Sequence, residues 1–274
     1  MTDCKNWKTA ISTSHTSYEA LNRYAKANIK SIEVSVDWRV FQDLNWQEIT
    51  DNAKKAGVEV WSFHLPFAQE LNIASPDENL RQYSVNVLKE QIEKIVKFGV
   101  KIFVAHSSTG PIKDDERHLY MTASKKSLAE LAETAAKVGA TVCVENLPRH
   151  GLGHNVQEML ELVSAHNGLR VCFDVNHLCL AYGSNHLQFV DALGKKIITT
   201  HMSDYDFIDE KHFFVGNGKI NWSELISALE KANYNGPFLY EGGFGPSCWD
   251  PSVPFGTVEE AHERHMNIKE FTGE

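Results

Sequence analysis

Seven ionisable side chains of this 274-residue sequence stand in or just after short apolar runs: His64, His106, Glu145, Asp174, His177, His201 and Glu241. Glu145 is the sharpest case, because TVCV (141–144) ahead of it suits the middle of a buried strand. An ionised carboxylate there costs several kcal/mol unless something compensates it. Each residue alone has an ordinary use. A histidine at a strand end is commonly a hydrogen-bonded core residue. Glu145 can pair with Arg149, Asp174 can cap the following turn, and Glu241 can satisfy a turn at Gly242–Gly243. Together, three carboxylates and up to four imidazoles at one place repel one another or stay unsatisfied without a cation. Mixed imidazole and carboxylate donors suit Zn, Mn, Co or Mg rather than a soft-metal site, so the pattern predicts a divalent metal ion.

Two longer segments carry further polar groups. HMSDYDFIDEKHFFVGNGKINW (201–222) is about twice the usual length of a strand-to-helix connection. In it Glu210 and His212 alternate ahead of Gly216–Asn217–Gly218, as a solvated excursion or as substrate-binding groups and further ligands. FGPSCWDPSVPFGT (244–257) is aromatic and proline-rich, which fits either a lid over the site or a packed loop.

The elements that must position these groups repeat along the chain. Candidate strands are 9–14, 31–37, 58–67, 100–108, 140–148, 169–177, 197–204 and 236–243, rich in Val, Ile and Phe. Helical periodicity separates them: Leu88, Ile92, Ile95 and Val96 in one stretch, Leu128, Leu131, Ala135 and Val138 in the next, and a helix opening at Asn221–Trp222. KKAGVEV, KFGVKIF, KVGATVC and ANYNGPF each read as a helix end, a capping glycine and a new strand. Eight strand–helix units about 30 residues apart predict a single-domain α/β fold, a (β/α)8 barrel over residues 1–274. A doubly wound sheet is the alternative, but no GxGxxG turn is present. In a barrel the chemistry gathers at the C-terminal strand ends, where the polar residues lie. Strand interiors are otherwise nearly free of charge, Glu33 being the main exception.

The bulk numbers narrow the function classes. A net charge of -9 and a pI near 5.8 offer no basic excess for a phosphate backbone, so nucleic acid is not the expected partner. Five scattered cysteines without a CxxC pattern predict reduced thiols rather than a disulfide framework. No apolar signal core and no 18-residue apolar run occur, which predicts a cytoplasmic protein without a membrane span.

Glu145–Asn146, Asp174-x-x-His177, His201-x-Ser203–Asp204, Gly216-x-Gly218 and Glu241 together resemble the xylose isomerase-like barrel superfamily. The resemblance spans nearly the whole chain; the superfamily includes sugar epimerases and isomerases, a dehydratase and endonuclease IV. The epimerase and isomerase branch implies that Glu145, Asp174, His201 and Glu241 bind one divalent ion (Mn, Mg or Co, with Zn as another candidate). It also implies that Glu145 and Glu241 are the catalytic acid and base. One removes a proton beside the carbonyl of a keto-sugar or keto-polyol, giving a metal-bound enediolate, and the other returns it. His177 resembles the substrate-binding histidine, His212 stands where epimerases often carry an arginine, and His64, His106 and Glu210 line the pocket. Pairing of two copies through barrel faces is a further family expectation. The endonuclease branch implies three zinc ions held by His64, His106, Glu145, Asp174, His177, His201, Glu210, His212 and Glu241, and phosphodiester hydrolysis. A keto-sugar dehydratase or lyase would use the same metal and the same C–H abstraction.

Overall fold

Alternation along the strands divides the apolar residues into two cores. In β5 (Thr141–Glu145), Val142 and Val144 join the large core between sheet and helices, while Cys143 packs with Val104 and Cys172 of adjoining strands. The same period of two carries Glu145 to the inner side of the sheet. The computed structural model describes residues 2–178, 185–208, 210–245 and 252–273.

Eight strands alternate with helices: β1 (Thr9–Thr13), β2 (Ser31–Val34), β3 (Glu59–His64), β4 (Ile102–His106), β5, β6 (Arg170–Asp174), β7 (Ile197–His201) and β8 (Phe238–Tyr240). All pair in parallel, in the order β7-β6-β5-β4-β3-β2-β1-β8. The ring is nearly closed by Met202, just past β7: its amide donates to the Leu239 carbonyl at 2.7 Å, and its carbonyl accepts from the Glu241 amide at 3.1 Å. The expected (β/α)8 barrel is therefore the fold. Five strands end on the polar residue itself, earlier than the apolar runs predict: His64, His106, Glu145, Asp174 and His201. Register places His106 beside Glu145 and Asp174 beside His201.

The helices are α1 (Tyr18–Lys26), α2 (Trp46–Ala56), α3 (Glu78–Ile95), α4 (Arg117–Lys137), α5 (Val156–Val163), α6 (Val175–Leu178), α7 (His186–Leu193), α8 (Trp222–Lys231) and α9 (Ala261–Met266). Asn221 caps α8 as expected, accepting a hydrogen bond from the Glu224 amide. Gly57, Gly99 and Gly139 adopt the left-handed conformation that the helix-end pattern requires. The fourth instance differs. Asn233 takes the left-handed position after α8, and Gly236 serves close approach, since a Cβ there would meet the Ile198 carbonyl and the Tyr234 hydroxyl.

Cys4, Cys143 and Cys172 are buried free thiols, while Cys179 and Cys248 lie outside the described residues. So does 246–251, the middle of the segment with lid character; its flanks pair with each other, Gly245 with Gly256 and Gly256 with Gly243. Among the described residues no helix is long and apolar enough to cross a membrane.

His265 of α9 is fully buried near the start of β1. Its Nδ1 lies 2.9 Å from the Thr9 hydroxyl, its Nε2 lies 3.1 Å from the Cys4 carbonyl, and its ring stacks on Phe238. Burial pushes this imidazole down to about 4, below its unfolded value near 6.5. A depressed folded value means the stabilisation is complete above about pH 6.5 and lost as pH falls toward 4, on the order of 3 kcal/mol in all. Urea unfolding at pH 7.5 and pH 5 should show a smaller loss for His265→Gln than for the parent; equal losses would remove His265 from the acid response.

Candidate active site

The fully buried Glu145 carboxylate is surrounded by imidazoles. His64 Nε2 and His106 Nε2 lie 3.1 and 3.3 Å from Oε2, and His177 Nδ1 and His201 Nδ1 lie 3.2 and 3.3 Å from Oε1. Burial opposes its charge, but His201 and His106 outweigh that and hold the carboxyl well below the usual carboxylate range. Glu241, directly after β8, brings Oε2 within 3.3 Å of the same His201 Nδ1, and Asp174 Oδ2 lies 3.7 Å from it. Asp174 Oδ1 accepts a 2.8 Å hydrogen bond from the His177 amide, so this residue also caps its turn. Burial, reinforced by the nearby Glu241, pushes the Asp174 carboxyl up to about 8.

Asp174 Oδ2 and Glu241 Oε2 are buried, with His201 Nδ1 at 3.7 and 3.3 Å but no hydrogen bond of good geometry. Three histidines meet acceptors at both ring nitrogens. His64 faces the Leu65 carbonyl and Glu145, His177 faces the Asn146 carbonyl and Glu210, and His201 faces Glu33 and Glu145. Such a ring is either doubly protonated or keeps one proton and turns its other lone pair toward a cation. For His201 the shorter contact is Nε2 to Glu33, 2.9 Å, which leaves Nδ1 toward the three site carboxylates. For His177, Nδ1 lies 3.0 Å from the Asn146 carbonyl, which turns Nε2 toward Glu210.

Glu33 adjoins the site, although the sequence pattern assigns it no role. Its carboxylate is fully buried and accepts from Ser12 Oγ at 3.1 Å and Ser62 Oγ at 2.8 Å as well as from His201. The signal available was a glutamate inside an otherwise apolar strand, SIEV. The imidazole it touches lies on β7, which no spacing reveals.

The loop after β7 folds back on a single carboxylate. Asp204 Oδ1 accepts from the Tyr205 and Ile220 amides, and Oδ2 accepts from the Gly216 amide at 2.9 Å and Trp222 Nε1 at 2.7 Å. The backbones of Asp204 and Phe213 pair both ways, at 2.9 and 2.8 Å. A Cβ at Gly218 would collide with the Asp204 carboxylate, which is the physical content of the Gly216-x-Gly218 pattern. His212, at φ 46°, returns over the site with Nδ1 3.1 Å from Ser203 Oγ and Nε2 3.3 Å from Glu210 Oε1. Gly242 admits this return, since a Cβ there would sit 2.9 Å from the His212 Cβ. Arg149 donates to Glu210 at 2.9 Å, so its carboxylate partner here is Glu210 rather than the Glu145 considered from sequence.

All nine residues singled out from the sequence thus come together. Three overlapping sets each bring donor atoms within 4.8 Å of one another: His64, His106 and Glu145; Glu145, Asp174, His177 and Glu241; and His177, His212 and Glu241. The 3.3 to 3.7 Å separations about His201 Nδ1 approach the edges, about 3.0–3.4 Å, of a coordination polyhedron with bonds near 2.1 Å. The orphaned oxygens and the donor chemistry both fit a divalent cation.

A family model described as xylose isomerase-like TIM barrel matches residues 21–255. A probable endonuclease 4 of Aquifex aeolicus is 31% identical over 149 residues, covering 50% of this chain and 51% of that protein. A D-psicose 3-epimerase of Ruminiclostridium cellulolyticum is 25% identical over 239 residues, 81% and 78% of the two chains. The chain spans 62%, 67% and 51% of the lengths of the first three curated relatives it matches. The crystal structure of a D-tagatose 3-epimerase-like protein superposes with a TM-score of 0.76 at 22% identity, covering 96% of each chain.

If Glu33 sets the His201 ring, Glu33→Gln should weaken binding of Mn(II) or Co(II) by about 10–100-fold in direct titration while circular dichroism stays unchanged. Undiminished affinity in that variant would show that the ring is held by other contacts.

Proposed function

The chain belongs to the xylose isomerase-like TIM barrel family, and on that premise we propose that it is a divalent-metal-dependent isomerase or epimerase of a keto-sugar. The observation that carries this reading is that two glutamates, Glu145 at the end of β5 and Glu241 just after β8, each place one carboxylate oxygen 3.3 Å from the same His201 nitrogen. The relationship to a D-psicose 3-epimerase over 81% of the chain supports it. Glu145, Asp174, His201 and Glu241 would hold the ion. A divalent ion bound there would supply the Lewis acidity that makes a C–H beside a carbonyl removable.

The remaining work falls to the protein's own groups. Glu145, kept ionised by its imidazole neighbours, is the base that takes the proton. Against its burial, Glu241 is also held well below the usual carboxylate range by His201. It first takes a proton from solvent and then returns it, either to the opposite face of the same carbon or to the adjacent carbon, while Glu145 releases its proton to solvent. Glu33 fixes the His201 ring, and the Asn146 side chain ties β5 to β6 by donating to the Asp174 carbonyl and accepting from its amide. His177 and His212 orient substrate hydroxyls, Glu210 links them, and His64 and His106 border the pocket.

One observation favours a second reading. The outlying donor sets, His64–His106–Glu145 and His177–His212–Glu241, are ready for ions as well, and an endonuclease 4 relative exists at 31% identity. That reading is a three-zinc phosphodiesterase.

Two measurements test these readings. A ketose incubated in D2O with the manganese-loaded protein should gain deuterium beside its carbonyl, and Glu145→Gln or Glu241→Gln should slow the exchange by about 10²–10⁴-fold. Near-normal exchange in both variants would sink the two-glutamate mechanism. Elemental analysis of the purified protein should give about one divalent ion per chain. Three zinc ions per chain, with cleavage of abasic DNA, would replace the isomerase by the phosphodiesterase.

A further inference from the structure

The proton-transfer carboxylates do not fill the mouth of the barrel. Beside them lies a cavity of about 470 Å³, lined among others by Phe67, Thr109, Pro111, Leu147, Pro148 and Arg149 from the loops after β3, β4 and β5. His106 and Glu210 form its border with the site, whereas Glu145, Asp174, His201 and Glu241 do not line it. A sugar held by those four residues meets this space past His106 and Glu210, so a further part of the ligand can extend into it. A cavity of this size lies within the range of small-molecule sites and has room for a sugar ring.

The lining says what that other part is. Arg149 pairs with Glu210 at 2.9 Å, so its charge is offset at the cavity's edge. Most of the wall is apolar, with the bare backbones of Gly110 and Gly151 between the side chains. Phe67 remains 43% exposed, its ring stacked on His106 with centroids 3.6 Å apart. An exposed aromatic ring beside a polar site is a surface for the C–H face of a neutral ring.

The geometry points to a glycosylated ketose as the substrate class: the keto-sugar end lies at Glu145 and Glu241, and a second sugar ring occupies this cavity against Phe67. The assignment rests on the keto-sugar reading above. Isothermal titration of the manganese-loaded full chain with D-fructose, lactulose and isomaltulose tests it, because both disaccharides carry a fructose unit with a second ring on a different hydroxyl. At least one disaccharide should bind about tenfold or more tightly than fructose. Pro111→Trp, which fills the cavity from an exposed loop position, should bring that ratio close to one. Fructose binding as tightly as both disaccharides overturns the glycoside assignment and leaves the ketose reading standing. A ratio that persists in Pro111→Trp places the second ring elsewhere and also overturns it. Failure of all three sugars to bind overturns the ketose reading, and this assignment with it.

Discussion

The burial of the Glu145 carboxylate is the constraint from which the rest of the site follows. A charge removed from water must be met by opposite charge or by several hydrogen bonds at close range. Here four imidazoles meet it, and three of those rings are themselves flanked by acceptors on both sides. The arrangement is a balance of charges in which no member can be removed without leaving another uncompensated. Asp174 Oδ2 and Glu241 Oε2, buried with His201 Nδ1 at 3.7 and 3.3 Å, are the oxygens that a cation held by the proposed ligand set would meet.

The barrel supplies the conditions for that balance. Parallel strands with apolar residues facing the helices leave only the inner alternate positions for polar groups, and the strand ends bring those positions to one mouth. Register then decides which ends touch. His106 stands beside Glu145, and Asp174 beside His201, because neighbouring strands are offset as the sheet closes on itself. Glu33 lies deeper in the barrel, where two serines and the far nitrogen of His201 hydrogen-bond its carboxylate. This buried support holds the far side of a ring whose near nitrogen faces Glu145, Asp174 and Glu241.

Above the strands, loops shape the approach to the site. Asp204 gathers three amides and an indole into one carboxylate and so turns a long polar connection into a fixed arm carrying His212 and Glu210. Phe67, Pro111 and Leu147 shape the space beside the carboxylates. The division is physical: strand ends carry groups that must be held to fractions of an ångström, and loops carry the shape that distinguishes one ligand from another.

The sequence by itself determined the barrel, because eight apolar runs with helical periodicity between them can bury their faces in few other ways. It also determined which residues would meet, since charged groups directly after apolar strands are costly wherever nothing compensates them. Gly57, Gly99 and Gly139 were legible as helix ends for a local reason, the left-handed backbone that a capping position needs. Tertiary structure decided the rest. The pairing of Glu33 with His201 joins residues 168 positions apart. Arg149 turned to Glu210 rather than Glu145, Asp204 became a loop staple, and Gly236 proved to be a point of close approach instead of a cap. Each of these depends on how far neighbouring strands are offset and where a loop returns. Such quantities arise from closing the ring as a whole, and no single segment of chain carries them.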